Sequence, residues 1–196
     1  MGRISSAWAV IDAWLERHAP ASAQARRGPA TSAEIAAAEA ELGFALPPDF
    51  AESVAVHDGQ PDGCDDFPYR PLLPLAGIVA TRRMLMEVAA DGGWLGEDGD
   101  DAWWHEQWLP IGRLDGDVEL LDCRPGPGYG RLGVRPNDDV AHFEPGWGLP
   151  DFAGYLDAIA TALTEGDFDG MKPHLTPEGK LCWAFPDEDE DLTPVR

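Results

Sequence analysis

Apolar residues recur at helical spacing in the first half of the chain, and the period changes after residue 102. Ile4, Trp8, Ile11 and Leu15 fall at i, i+4, i+7 and i+11, which draws one stripe along a first helix that Pro20 stops. Residues 19–29, rich in Ala, Ser, Arg and Pro, predict a flexible connector. Thr31-Ser32-Ala33-Glu34 is a capping box for a second helix, with Ile35, Ala38 and Leu42 as its buried stripe and Gly43 as the left-handed residue that ends it. Pro47 forces Leu46 out of helical geometry, and Pro48 suits the first position of a third helix with Phe50 and Val54 facing inward. His57-Asp58-Gly59-Gln60 closes that helix, with Gly59 as the expected stop. Residues 61–74 are dense in Asp, Gly and Pro and predict a loop. A fourth helix is expected over 78–90, with Val79, Met84, Leu85 and Val88 inward, followed by a Gly/Asp/Glu loop over 91–101.

The second half predicts short strands. Trp108-Leu109-Pro110-Ile111-Gly112 and Val118-Glu119-Leu120-Leu121-Asp122 flank the turn signal Asp115-Gly116-Asp117. Residues 131–135 and 140–143 suggest two more strands, and the short connections favour an antiparallel meander. Helical spacing returns over 149–165, where Phe152, Leu156, Ile159 and Leu163 share a stripe that Gly166 ends. The expected class is α+β: a mostly antiparallel meander sheet with N-terminal helices and a C-terminal helix packed around it. One domain is expected over 1–170. Residues 171–196 are expected to be a C-terminal extension, with a turn and a strand over 171–183 and an acidic tail over 187–191.

Charge narrows the function classes. Fourteen basic residues against 36 acidic ones give a formal charge of −22, the wrong sign for phosphate recognition or for an anionic membrane surface. Basic partners remain. No apolar stretch approaches the roughly 20 residues that span a bilayer, and the N-terminus lacks a secretory pattern. Gly2 with Ser6 fits a myristoylation pattern only weakly. Cys64, Cys123 and Cys182 are far apart and form no CxxC pair, which fits small buried thiols in a reducing cytoplasm.

The ordered motifs resemble the SUKH superfamily, bacterial proteins related to the fungal cell-wall-assembly regulator. Trp14-Leu15-Glu16 lies in the first helix. The run from Glu39-Ala40-Glu41-Leu42-Gly43 to Leu46-Pro47-Pro48-Asp49-Phe50 is similar to the family's "E..LG..LP.D(Y/F)". His57-Asp58-Gly59 stands at its "(H/N)(D/N)G". Trp108, Pro110, Ile111, Gly112, Asp115 and Gly116 resemble "W.PI...DG". Leu121-Asp122 with Pro125-Gly126 and Gly130 resembles "LD..PG..G", and Phe152 with Tyr155-Leu156 matches the closing helix. The resemblance spans residues 8–166 and implies a mixed α+β fold and a binding protein without enzymatic activity. It suggests an immunity protein that occludes a polymorphic toxin or, alternatively, a regulator or scaffold of cell-wall synthesis or signalling. The acidic, Trp-rich stretch 91–107 and the segment after 170 depart from the family pattern. By their chemistry the motif residues Leu46, Pro47, Asp49, Gly59, Trp108, Gly112, Asp115, Gly116 and Asp122 are structural.

A binding surface is expected where tryptophan concentrates. Trp94, Trp103, Trp104 and Trp108 lie within fifteen residues, among Glu97, Asp98, Asp100, Asp101 and Glu106. Indoles beside carboxylates suit an interface with an Arg/Lys-rich partner. The expected surface is therefore Trp94, Glu97, Asp98, Asp100, Asp101, Trp103, Trp104 and Glu106. Neighbours on an extended backbone alternate faces, so Trp103 and Trp104 are not both expected inside. Metal and catalytic motifs are not expected. Asp98-Gly99-Asp100-Asp101 lacks the twelve-residue calcium-loop pattern, and His57, His105, His142 and His174 have no ligand spacing. Gly128-Tyr129-Gly130-Arg131-Leu132-Gly133 fits GxGxxG but leads into a strand, where no helix N-terminus awaits a phosphate. No cofactor follows from the sequence, and an unrecognised hydrolase is the least favoured reading.

Overall fold

A computed structural model describes residues 2–61, 66–96, 102–143, 149–186 and 191–195. Among them, helices come first: α1 (Arg3–His18), α2 (Pro20–Ala25), α3 (Ser32–Leu42), α4 (Pro48–Val54) and α5 (Leu75–Gly92). Strands β1 (Trp108–Leu114), β2 (Asp117–Asp122) and β3 (Leu132–Arg135) follow, then α6 (Phe152–Glu165). Strands β4 (Lys172–Leu175), β5 (Leu181–Ala184) and β6 (Thr193–Pro194) close the chain. The class is α+β, with two antiparallel three-stranded sheets ordered β1-β2-β3 and β5-β4-β6.

Local signals account for most of these elements. Thr31 accepts the Glu34 N–H while the Glu34 carboxylate accepts the Thr31 N–H, the full capping box. Asp115 and Gly116 both have positive φ, 50° and 95°, so β1 and β2 join through a two-residue turn of the type that matches strand twist. Several expectations are corrected. Pro20 opens the short helix α2 instead of a connector, because proline fits a first helical turn. The fourth helix starts three residues earlier than expected, at Leu75, and residues 140–143 contribute only a bridge between His142 and Val134. Val88 faces solvent, not the core.

Gly59 does not stop α4, which ends at Val54. At φ 68° its position admits no Cβ, which would collide with the Leu73–Pro74 backbone. Its neighbours form a staple. Asp58 accepts the Leu75 N–H at 2.7 Å and so satisfies an orphan donor at the start of α5. Gln60 exchanges two hydrogen bonds with Leu72, and the His57 ring lies 2.8 Å from the Arg27 carbonyl and 3.1 Å from Asp12. The motif therefore ties α1, the segment before α3 and the start of α5 together.

The first sheet is covered on both faces. Leu109, Ile111 and Leu121 join one core with α1, α4 and α6, whereas Trp108, Val118 and Leu120 join a second core with Leu85, Ala89 and Trp104. Helix α5 supplies both, Leu75 and Ile78 to the first and Leu85 and Ala89 to the second. Met171, Leu181 and Trp183 lie in the first core. The Leu181 N–H donates to the Ser22 hydroxyl and the Trp183 indole to the Asp66 carbonyl.

Candidate partner-binding site

The end of α5 sets the geometry. Gly93 is left-handed (φ 70°), its N–H donates to Ala90, and the Trp94 N–H donates back to Ala89 at 2.8 Å. This is the Schellman pattern, which fixes the exit of the chain. Residues 94–96 then run parallel to the segment ending at Trp104, through the Leu95–Trp104 bridge and the Gly96 N–H to Trp104 carbonyl bond. The pairing brings the Trp94 and Trp103 rings to 5.6 Å between centroids. Trp94 is 53% exposed, and Trp103 is partly exposed. Behind Trp103 the Arg135 guanidinium lies 4.6 Å from its ring centroid, held by the carbonyls of Gly116, Pro136 and Asn137. Arginine and carbonyl cage together restrict the indole.

Trp104 is removed from the expected surface. It is fully buried in the second core and meets Trp108 edge-on at 5.8 Å, whereas Trp103 packs only against the margin of that core. Glu106 is exposed, and its carbonyl, not its carboxylate, anchors Arg82. Glu97, Asp98, Asp100 and Asp101 lie outside the described residues. Two contributors escaped the sequence reading. Val88, in the last turns of α5, and Leu95, just past its end, are each about 40% exposed and lie near Trp94 in the chain. Val88 fits an inward stripe as well as an outward one, and Leu95 has no periodic signal at all.

The motif residues serve the frame. Leu46 is buried, and its N–H donates to Glu39. Pro47 and Pro48 open α4, with Asp49 in the first turn. A Cβ on Gly112 would lie 3.1 Å from Glu119 and 3.3 Å from the Arg70 side chain. Burial pushes the Asp122 carboxyl upward, but hydrogen bonds and charge from Arg124, with Arg131, outweigh it and hold it below the usual range. Cys123 is buried and its thiol is pushed up to about 12 by burial and by Asp122, the wrong direction for a nucleophile. Among the described residues, no group of three His, Cys, Asp or Glu could hold a metal ion. No helix among them is long and apolar enough to cross a membrane.

The architecture on the page is an α+β frame with motif residues at turns and helix ends and a pair of partly exposed indoles at its surface. Residues 29–151, more than half of the chain, match the SMI1 / KNR4 family (SUKH-1), and the chain belongs to that family. A search of curated proteins found no match.

Proposed function

We propose that the chain is a protein-binding domain without catalytic activity, acting as an immunity protein that occludes a basic toxin. The observation that carries the reading is the Trp94–Trp103 pair, partly exposed and braced by Arg135, on a chain of net charge −22. Large indoles held in place lose little freedom on binding and make effective anchors. The acidic field speeds encounter with a cationic partner, and the indoles slow release. Location in the cytoplasm, where such a partner would otherwise act, is part of the proposal.

Affinity capture from the native host, followed by mass spectrometry, identifies the partner. A basic toxin domain supports the reading, whereas a component of cell-wall synthesis or signalling supports the regulatory alternative. Replacing Trp94 and Trp103 by Ala is expected to raise the dissociation rate of the captured complex about tenfold or more. Trp104→Ala instead is expected to lower stability, by about 3–5 kcal/mol, because it opens a cavity in the second core. Association slows with added salt if charge steers it. An unchanged dissociation rate in the Trp94/Trp103 double variant removes this face from the interface.

A further inference from the structure

A second feature lies away from the indoles, between the end of α6 and the turn that follows it. Phe168 and Met171 exchange N–H to carbonyl bonds across a two-residue turn at Asp169 and Gly170, both with positive φ (52° and 86°). This turn carries Asp169 to Tyr69, whose hydroxyl donates to the Asp169 carboxylate at 2.8 Å. Both line a half-open cavity of about 400 Å³, within the size range of ligand pockets. Ala158 and Ala162 of α6 supply small apolar lining, the rings of Tyr69 and Phe168 stand edge-to-face at 5.7 Å, and Asp167 and Asp169 add two carboxylates.

The charge of the cavity is one-sided. Among the described residues, neither Asp167 nor Asp169 is in an ion pair. Each accepts one neutral donor, Asp167 from the Gly170 N–H and Asp169 from Tyr69. The cavity sits on the C-terminal half of α6, the negative end of the helix dipole, and the last turn of that helix holds no basic residue. A cation with an apolar, planar body fits these walls. The guanidinium of arginine stacks on aromatic rings and offers a fork of donors to a carboxylate, whereas an ammonium is a compact, strongly hydrated charge.

We infer that this cavity seats an arginine side chain presented by a protein partner. The inference rests on the proposed function only for the positive charge of that partner, and it adds an anchor separate from the indole pair.

The test is a titration of the full chain, followed by amide NMR, with acetyl-Gly-Arg-Gly-amide and with the same peptide carrying citrulline. The arginine peptide is expected to move the amides of Thr161, Phe168 and Asp169 saturably, and the citrulline peptide is not. Substituting Asp167→Asn and Asp169→Asn together is expected to weaken binding about tenfold or more. Asparagine tolerates the left-handed backbone at 169, so the turn survives. The Trp94→Ala/Trp103→Ala double variant is expected to bind the peptide unchanged, which separates this cavity from the indole face. Equal shifts with citrulline, no saturable shift with arginine, or shifts that bypass these amides overturn the proposal. The citrulline comparison needs no variant, so it decides the matter even if the double substitution unfolds the chain. A lost peptide site beside an intact partner complex refutes the cavity alone, whereas a bound peptide beside a partner with no positive face refutes the functional reading alone.

Discussion

Glu119 shows how one side chain can set the pH dependence of the molecule. It is fully buried in β2, on the strand face it shares with Leu121. Its closest charged group, Arg70, lies 3.6 Å away and is already committed to Asp117 at 2.7 Å. Burial therefore dominates and pushes the carboxyl up to about 7, with Arg70 and Tyr155 recovering only part of the cost. The folded state holds this proton more tightly than the unfolded chain, whose glutamate titrates near 4.5. The contribution of Glu119 to stability is thus complete below the unfolded value and is lost as pH rises through about 7. Across that window the loss is on the order of 3 kcal/mol. Asp122 has the opposite sign: its lowered carboxyl stabilises above the ordinary aspartate range and ceases to do so as pH falls through its folded value. Taken together, these two groups place maximum stability in mildly acid solution. Urea midpoints measured from pH 4 to 8 are expected to fall for the wild type and to flatten for Glu119→Gln. A slope that persists in the variant assigns the titration to another group.

Glycine positions separate two kinds of constraint between elements. Gly43 ends α3 at φ 83° with nothing within 4 Å of an added Cβ, so Gly43→Ala costs only the left-handed backbone, about 1 kcal/mol. Gly59 has both the positive φ and the Pro74 backbone in the way, so Gly59→Ala must shift one segment against another and is expected to cost about 3 kcal/mol or more. Comparable losses in chemical denaturation would mean that the close approach is unimportant. The contrast also marks the limit of the sequence at this scale. The Thr31 capping box, the Pro48 start of α4 and the Asp115-Gly116 turn are local, and they were legible because their chemistry is complete within a few residues, whereas Pro20 reads equally as a stop and as a first helical residue. Gly59 was visible as a special backbone position, but the Leu73–Pro74 backbone it meets lies fourteen and fifteen residues further along the chain, in contacts that no local pattern encodes. The same holds at the surface. Alternation predicted that Trp103 and Trp104 diverge, yet only the pairing of 94–96 with the Trp104 segment shows which one joins Trp94. The burial of Glu119 was invisible because a strand with two covered faces does not alternate between apolar and polar.

At the scale of the whole molecule, the segment after residue 170 decides how large the folding unit is. Composition set it apart as an extension with an acidic tail, and the family match stops at residue 151. The structure gives it a share of the interior: Met171, Leu181 and Trp183 are buried in the core that α1 and α6 build, and the Leu181 N–H is bound to Ser22 near the other end of the chain. Burying side chains of this size contributes roughly 1.5–3 kcal/mol each, so three of them approach the 5–15 kcal/mol that holds an ordinary domain together. Phe168, which meets Trp183 at 6.0 Å, would lose that cover as well. Deleting residues 171–196 is therefore expected to abolish cooperative unfolding, whereas deleting 191–196 alone, whose described residues are largely exposed, is expected to cost far less. Circular dichroism during thermal unfolding distinguishes the outcomes. A sharp, wild-type-like transition in the longer deletion would make the extension an appendage after all, with 1–170 as the folding unit.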